Sequence, residues 1–328
     1  MELTLPARVS LASLPTRVAP MDRLGLELGG PRLSVKRDDQ TGSDLSGNKV
    51  RKLEYLLAEA RARKATTVVT CGAVQSNHCR ATAVAARQLG MDSFLVLRGE
   101  EPAVADGNFL LDRMVGARCH FISDDEWKGR REIMAACAAR LEGEGEAPYV
   151  IPEGGSNGLG SWGYISMLAE LLDDDGRVPY THIVCAVGSG GTLAGLVLGK
   201  KIMDLDLRIL AVNVCDDAAY FQRRVEEIAA DFNANGKCRI PVGRDDYTIL
   251  EGYKGPGYGI PYEEQIRWMK KAARIEGLLL DPVYTGKAFY GLVDQIGKGR
   301  FSSADHVLFL HTGGLFGLFP HGASFSGE

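Results

Sequence analysis

The chain has 328 residues, 45% of them hydrophobic and 24% charged, which is the composition of an ordinary soluble globular protein with room for about two domains at ~150 residues each. Its net charge of −4, with no basic cluster beside aromatics, argues against a nucleic-acid partner. No apolar run approaches the ~20 residues of a membrane span, and Met1-Glu-Leu-Thr-Leu-Pro6 lacks the basic start and apolar stretch of a signal peptide, so neither a membrane nor a secretory route is expected.

Residues 1–32 read as an irregular lead-in, with prolines at 6, 15 and 20. Leu33-Ser-Val-Lys-Arg37 is a short strand. The turn Asp44-Leu-Ser-Gly-Asn-Lys-Val-Arg-Lys52 then opens an amphipathic helix over 53–60. Thr66-Thr-Val-Val-Thr-Cys71 is a β-branched strand running into Gly72-Ala-Val-Gln-Ser-Asn-His78 and a helix over 81–89 that Gly90 stops. A strand over 93–98, a helix near 107–115, a strand over 118–122, a helix near 125–143 and a strand over 148–152 follow. Glu153-Gly-Gly-Ser-Asn-Gly-Leu-Gly160 is glycine-rich and leads into a helix carrying Trp162 and Met167. Thr181-His-Ile-Val-Cys-Ala-Val187 is continuously apolar, the mark of a strand buried on both faces. It feeds Gly188-Ser-Gly-Gly-Thr192 and another helix. A strand over 208–214, a long helix to about 235, a polar loop to 247 and the loop 252–259 lead to a further helix. Leu278-Leu-Leu280, the Asp281-Pro-Val-Tyr-Thr285 turn, a helix to 297 and a strand over 307–310 complete the pattern, and the small polar tail 322–328 is expected to fray.

Strands alternating with helices predict an α/β protein built on mostly parallel sheet. The seven cysteines, at 71, 79, 119, 137, 185, 215 and 238, form no CxxC pair, and three sit inside apolar strand patterns. They read as core filler in a reducing, cytoplasmic compartment.

In an open α/β sheet, ligands bind at the carboxyl ends of the strands. The loops there carry the unusual residues: 46–52, 72–78, 153–158, 188–192 and 311–314. Lys49 and Lys52 share one face of a first helical turn, at the positive end of the helix dipole. An amine there is destabilised as a cation and can act as a nucleophile while its neighbour holds a phosphate; a solvated basic helix start is the plainer alternative. Gly188, Ser189, Gly190, Gly191 and Thr192, between a buried strand and a helix, offer a backbone N–H cradle for a single phosphate. No Gly-Lys-Ser/Thr follows, and Leu193 stands where a dinucleotide fingerprint needs its third glycine. Asp216 after the next strand keeps a nucleotide reading open, and a tightly packed glycine turn is the structural alternative. Ser76, in Gln75-Ser-Asn-His78 at a helix N-terminus, is either a simple N-cap or part of a carboxylate site, and His78, with no Asp partner visible in the sequence, reads as structural rather than as a general base. Tyr258 and Tyr284, in Gly/Pro-bounded loops, are either proton carriers or packed side chains. The six histidines show no ligand spacing, so no metal site is predicted.

Taken together, Ser46-Gly-Asn-Lys-Val-Arg-Lys-Leu-Glu-Tyr55, Gly72-Ala-Val-Gln-Ser-Asn-His78, Val187-Gly-Ser-Gly-Gly-Thr192, Leu280-Asp-Pro-Val-Tyr-Thr-Gly-Lys287 and His311-Thr-Gly-Gly314 resemble the D-cysteine desulfhydrase and 1-aminocyclopropane-1-carboxylate deaminase family. These are pyridoxal-phosphate enzymes of the tryptophan-synthase-β-like fold, fold type II. The resemblance runs from about residue 10 to 320. It implies two open, twisted, mostly parallel sheets with helices on both faces, a large cofactor-binding domain of residues 1–49 and 163–328, a small mobile domain of residues 50–162, and a homodimer.

By the same resemblance, Lys49 anchors the cofactor covalently and carries the substrate Cα proton. Lys52 and the 188–192 loop hold its phosphate, and Asn77 contacts its ring hydroxyl. Ser76 and His78 lie near the substrate carboxylate, Tyr258 and Tyr284 line the substrate side, and Thr285 faces the pyridine nitrogen with Thr312 nearby. Two positions depart from the family pattern. Thr285 replaces the glutamate of the aminocyclopropane deaminases, which implies a weaker electron sink suited to β-elimination. Ser46 replaces the first glycine of Gly-Gly-Asn-Lys. The implied activity is a lyase converting a small amino acid, D-cysteine first, to pyruvate, sulfide and ammonia. Aminocyclopropane carboxylate and L-cysteate are alternative substrates, and a non-catalytic nucleotide or small-molecule binder is the alternative of another class.

Overall fold

The computed structural model describes residues 5–236 and 239–325. In chain order these form β1 (Val18–Pro20), α1 (Asp22–Leu28), β2 (Arg32–Arg37), α2 (Lys49–Ala62), β3 (Thr67–Ala73), α3 (Asn77–Gln88), β4 (Asp92–Arg98), α4 (Gly107–Met114), β5 (Arg118–Ile122), α5 (Arg130–Gly143), β6 (Pro148–Val150), α6 (Gly158–Ala169), β7 (His182–Val187), α7 (Gly191–Ile202), β8 (Arg208–Asn213), α8 (Ala218–Gly236), β9 (Thr248–Leu250), α9 (Glu263–Glu276), α10 (Thr285–Gly297) and β10 (His306–His311).

The strands make two sheets. One has six strands in the order β1-β2-β10-β7-β8-β9, and the other has four in the order β5-β4-β3-β6. Every pairing is parallel except that of β1 with β2. Alternate side chains of the central strands serve opposite faces. Ile183, Cys185, Leu308 and Leu310 pack with Leu193 and Leu196 of α7, whereas Val184, Val307 and Phe309 pack with Phe289 and Leu292 of α10. The smaller sheet does the same: Val68 packs with α2 and α3, while Val69 and Cys71 pack with Met134 and Ala138 of α5. Helices on both faces explain why the parallel strands carry no polar alternation.

Helices α2, α6 and α7 approach closely and place the two lysines. A Cβ on Gly163 of α6 would stand 2.7 Å from the carbonyl of Arg51 and 2.8 Å from the backbone nitrogen of Lys52, so glycine is required there. The start of α2 is pinned by a buried ionic cluster. Arg51 donates to Asp38 through Nε and Nη2, both at 2.8 Å, and to Glu170 at 2.6 Å, while Tyr164 donates to Asp38 at 2.7 Å.

Several expectations are corrected. Residues 5–17 carry no helix or strand, as expected, but the rest of the lead-in is ordered: Val18–Pro20 form an edge strand and Asp22–Leu28 the short helix α1, whose Leu24 is buried. The helix pattern read over 53–60 extends from Lys49 to Ala62, and Lys49 and Lys52 lie in its first turn as expected. Between the polar loop expected to end at 247 and the loop from 252, the short strand β9, which is not among the expected elements, pairs with β8. Leu278 and Leu280 are buried in an extended connection that joins neither sheet. Of the tail expected to fray, residues through 325 form a 3-10 turn and the last three lie outside the described residues. Cys71, Cys79 and Cys185 are buried, consistent with core filling, but Cys119, Cys137 and Cys215 are only half-buried, with Cys215 beyond the end of β8 in the wall of a cavity, and Cys238 lies outside the described residues.

Candidate active site

The carboxyl ends of β3 and β7 and the N-termini of α2, α3 and α7 converge on a cavity of about 350 Å³. The structure brings Lys49, Ser76, Asn77, His78, Gly188, Ser189, Gly190, Thr192, Tyr258, Tyr284 and Thr312 to its wall. Lys52 and Gly191 lie immediately behind it. Thr285 is buried beside the wall rather than among its lining residues, with its hydroxyl donating to Asp281 at 2.6 Å and accepting from the Asp281 backbone at 2.8 Å.

Lys49 opens α2 because the preceding turn can reverse sharply. Gly47 has φ of 110°, and a Cβ there would meet the Thr312 carbonyl oxygen at 2.9 Å. Ser46 does not disturb the turn: its hydroxyl donates to the Asp39 carbonyl at 2.8 Å. The Lys49 amine donates to Asn48 Oδ1 at 3.0 Å and lies 5.7 Å from the Tyr284 ring centre. Burial pushes its ammonium down from 10.5 to about 8, with Arg80 acting in the same direction against Asp281 and Glu153.

Lys52 is buried at 1% exposure with no ion-pair partner among the described residues; its amine donates to the Gly154 carbonyl at 3.2 Å. Burial and the neighbouring Lys49 drive its ammonium well below the ordinary lysine range. A buried cation so placed needs an anion. The space for one is next to it: a Cβ on Gly191, the first residue of α7, would fall 2.8 Å from Lys52 Nζ and 2.5 Å from Ser156 Oγ. A glycine, a helix N-terminus and an unpaired ammonium form a phosphate cradle.

Ser76 caps α3, its Oγ accepting from Cys79 N at 3.2 Å, so its hydroxyl hydrogen remains available. His78 has a fixed tautomer. Thr70 Oγ1 donates its hydrogen to the Ile151 carbonyl at 2.8 Å and therefore accepts from His78 Nε2, also at 2.8 Å. His78 Nδ1 is left as an unpartnered acceptor, and burial, with the two lysines, keeps the ring neutral. His78 thus keeps a buried acceptor with no partner among the described residues, while donors to an anion come from Ser76 and the α3 backbone.

The two tyrosines form a pair, with hydroxyls 2.7 Å apart and rings edge-to-face at 5.9 Å. Burial pushes both phenols well above their ordinary range, so both are neutral. Asp281 fixes Tyr284 by accepting from its backbone nitrogen at 2.9 Å. Lys287 fixes the Tyr258 loop by donating to the carbonyls of Lys254 at 2.6 Å and Gly257 at 2.7 Å. Arg98, at the end of β4, stacks over the rings of Tyr258 at 5.3 Å and Trp127 at 5.1 Å. Sequence reasoning missed Arg80, Arg98, Asn108 and the roles of Asp281 and Lys287. Of these, only Asp281 and Lys287 carried a signal, as part of the Asp-Pro-Val-Tyr-Thr-Gly-Lys stretch.

Residues 9–313 match the profile of the family described as pyridoxal-phosphate dependent enzyme. The chain belongs to this family. The mitochondrial bifunctional D-cysteine desulfhydrase/1-aminocyclopropane-1-carboxylate deaminase of Arabidopsis thaliana is 44% identical over 323 residues, 94% of this chain and 79% of that protein. The D-cysteine desulfhydrase of Klebsiella pneumoniae is 38% identical over 328 residues, 97% of this chain and 98% of that protein. A solved structure described as an ACC deaminase homologue superimposes with a TM-score of 0.87 at 38% identity, covering 98% of this chain and 95% of that one. The cofactor of this pyridoxal-phosphate enzyme fits the cavity's chemistry: a partly buried amine of lowered basicity for its aldehyde, and a buried lysine with no ion-pair partner among the described residues, beside a glycine-lined helix N-terminus, for its phosphate.

Proposed function

We propose that the chain is a lyase that removes the Cα proton and a Cβ substituent from a small amino acid, D-cysteine first, releasing pyruvate, sulfide and ammonia. Lys49 carries the reading. An amine whose ammonium sits at about 8 is appreciably in its free-base form near neutrality and serves both to attach the cofactor and to take the Cα proton. When bound, pyridoxal phosphate supplies the electron sink for the carbanion. Lys52 and the first turn of α7 hold the phosphate. Ser76, as donor at the α3 N-terminus, orients the substrate carboxylate. Tyr258 and Tyr284 share one hydrogen bond, so either can present a proton to the departing group.

Two features favour elimination over opening of a cyclopropane. The neutral Thr285 stands where the aminocyclopropane deaminases carry a glutamate. Arg98 faces the cavity mouth with Asp124, at 3.7 Å, as its ion-pair partner among the described residues, and so favours a departing anion. The test is keto-acid release from D-cysteine, L-cysteine, L-cysteate and aminocyclopropane carboxylate by the holoenzyme. Release from D-cysteine is expected; turnover of the cyclopropane with none of D-cysteine would overturn the assignment. The relatives' names keep aminocyclopropane deamination as the second reading.

Residues 50–162, which contain the whole four-stranded sheet, are read as the smaller domain that closes over the substrate. Two copies are read as pairing in the cytoplasm through a surface that includes Leu279 and Phe319, which are 54% and 63% exposed. Sedimentation at micromolar concentration checks the pairing.

A further inference from the structure

Asn77 lines the cavity, and its amide has two chemically opposite ends. Which end faces the ligand decides whether Asn77 donates or accepts there. In this fold a buried relay behind Asn77 decides it.

The relay starts at Arg80 in α3, which is fully buried at 0% exposure. Its guanidinium donates to the carbonyls of Asp44 at 2.7 Å and Ser46 at 2.8 Å, in the turn that leads to Lys49. Its Nε donates to Asn108 Oδ1 at 3.2 Å. A guanidinium has no acceptor, so the oxygen end of Asn108 must face it. The other end of Asn108 is fixed independently. Its Nδ2 lies 3.1 Å from the Gln75 carbonyl, which has no proton to give, and 3.0 Å from Asn77 Oδ1. The two hydrogens of the Asn108 amide therefore go to Gln75 O and Asn77 Oδ1. Asn108 is itself at 0% exposure, so water cannot substitute for either partner. With Oδ1 committed to Asn108, Asn77 presents its NH₂ to the cavity, and among the described residues that NH₂ has no protein acceptor.

We propose that Arg80 and Asn108 are positioning residues that lock the Asn77 amide with its NH₂ toward the cavity, making Asn77 an obligate donor to an anionic oxygen on the bound cofactor's ring. The relay also ties α4, through Asn108, to the Lys49 turn, through Ser46. A ligand contact at Asn77 and the placement of Lys49 thereby depend on one guanidinium. The inference does not depend on which amino acid is the substrate.

The test uses the apoprotein titrated with pyridoxal phosphate alone, reading its dissociation constant and the pH titration of the visible absorption band. Asn108→Asp keeps an acceptor for Arg80 but replaces the donor to Asn77 by an acceptor, which turns the Asn77 oxygen toward the cavity. Asn77→Ala is expected to weaken cofactor binding about tenfold and to move the band's titration. Asn108→Asp should do the same, and Asn77→Ala added to Asn108→Asp should cost less than a further twofold. Additive losses in the double variant, or a wild-type constant and band in Asn108→Asp, would overturn the proposal. Should Asn108→Asp fail to fold, Arg80→Lys and Arg80→Gln decide. Lysine, a donor only, should keep the wild-type band titration, whereas glutamine, which can face Asn108 either way, should move it toward that of Asn77→Ala. Identical titrations in the two would contradict the relay.

Discussion

Replacing Lys49 by methionine should make the apoprotein more stable at pH 7. The shift of its ammonium from 10.5 to about 8 corresponds to a penalty of at most ~3 kcal/mol at ~1.4 kcal/mol per unit. The side chain is only partly buried and its amine faces the cavity, so solvent there lowers that ceiling. Losing the bond to Asn48 subtracts about 1 kcal/mol more. A net gain of about 1 kcal/mol remains. The pH dependence gives the sign. Between about 8 and 10.5 the unfolded chain holds the Lys49 proton and the folded chain does not, so wild-type stability rises with pH across that window. The methionine variant lacks this term, and its advantage should be full below pH 8 and vanish by about pH 10.5. Urea denaturation of both apoproteins at pH 7, 9 and 10.5 measures it. A variant less stable than wild type at pH 7, or a difference independent of pH, would refute the claim that Lys49 is held as a strained cation.

Lys52→Ala should weaken pyridoxal-phosphate binding by roughly ten- to a hundredfold, the ~1.5–3 kcal/mol of a charge-assisted contact, and weaken pyridoxal binding far less; titration of both ligands into the apoprotein checks it. Lys287→Met leaves the carbonyls of Lys254 and Gly257 unpaired, at a cost of about 2–4 kcal/mol. It should appear as faster proteolysis within 252–259 and a lowered kcat, with cofactor affinity retained. Arg98→Met should lower kcat/KM for D-cysteine by about tenfold, ~1.4 kcal/mol, and that for β-chloro-D-alanine much less, because chloride departs without help; equal losses on the two substrates would remove Arg98 from the departure step.

What the sequence discloses depends on distance along the chain. Lys49 and Lys52 sit one turn apart, and the 188–192 cradle is five consecutive residues. Such local patterns can be read directly, and the alternation of strand and helix gives the α/β class. Residues 1–32 misled because prolines mark breaks, and a three-residue edge strand leaves no periodicity to detect. Thr285 sits in a recognisable motif, but its orientation is set by Asp281, whose carboxylate collects the backbone nitrogens of Val283, Tyr284 and Thr285. The Arg80–Asn108–Asn77 relay spans about thirty residues and two helices, and no spacing rule connects them. Arg98 ends a strand of the four-stranded sheet and Tyr258 lies in the loop after β9 of the six-stranded one, so only the fold brings their side chains together.

The claim on which the rest depends is that Lys49, and not its neighbour Lys52, bonds the cofactor. Borohydride reduction of the yellow holoprotein, followed by peptide mass mapping, tests it directly. A single pyridoxyl-phosphate mass is expected on the peptide at Lys49 Nζ, and none after Lys49→Ala. The label on Lys52, or a colourless protein that takes up no pyridoxal phosphate, would contradict it.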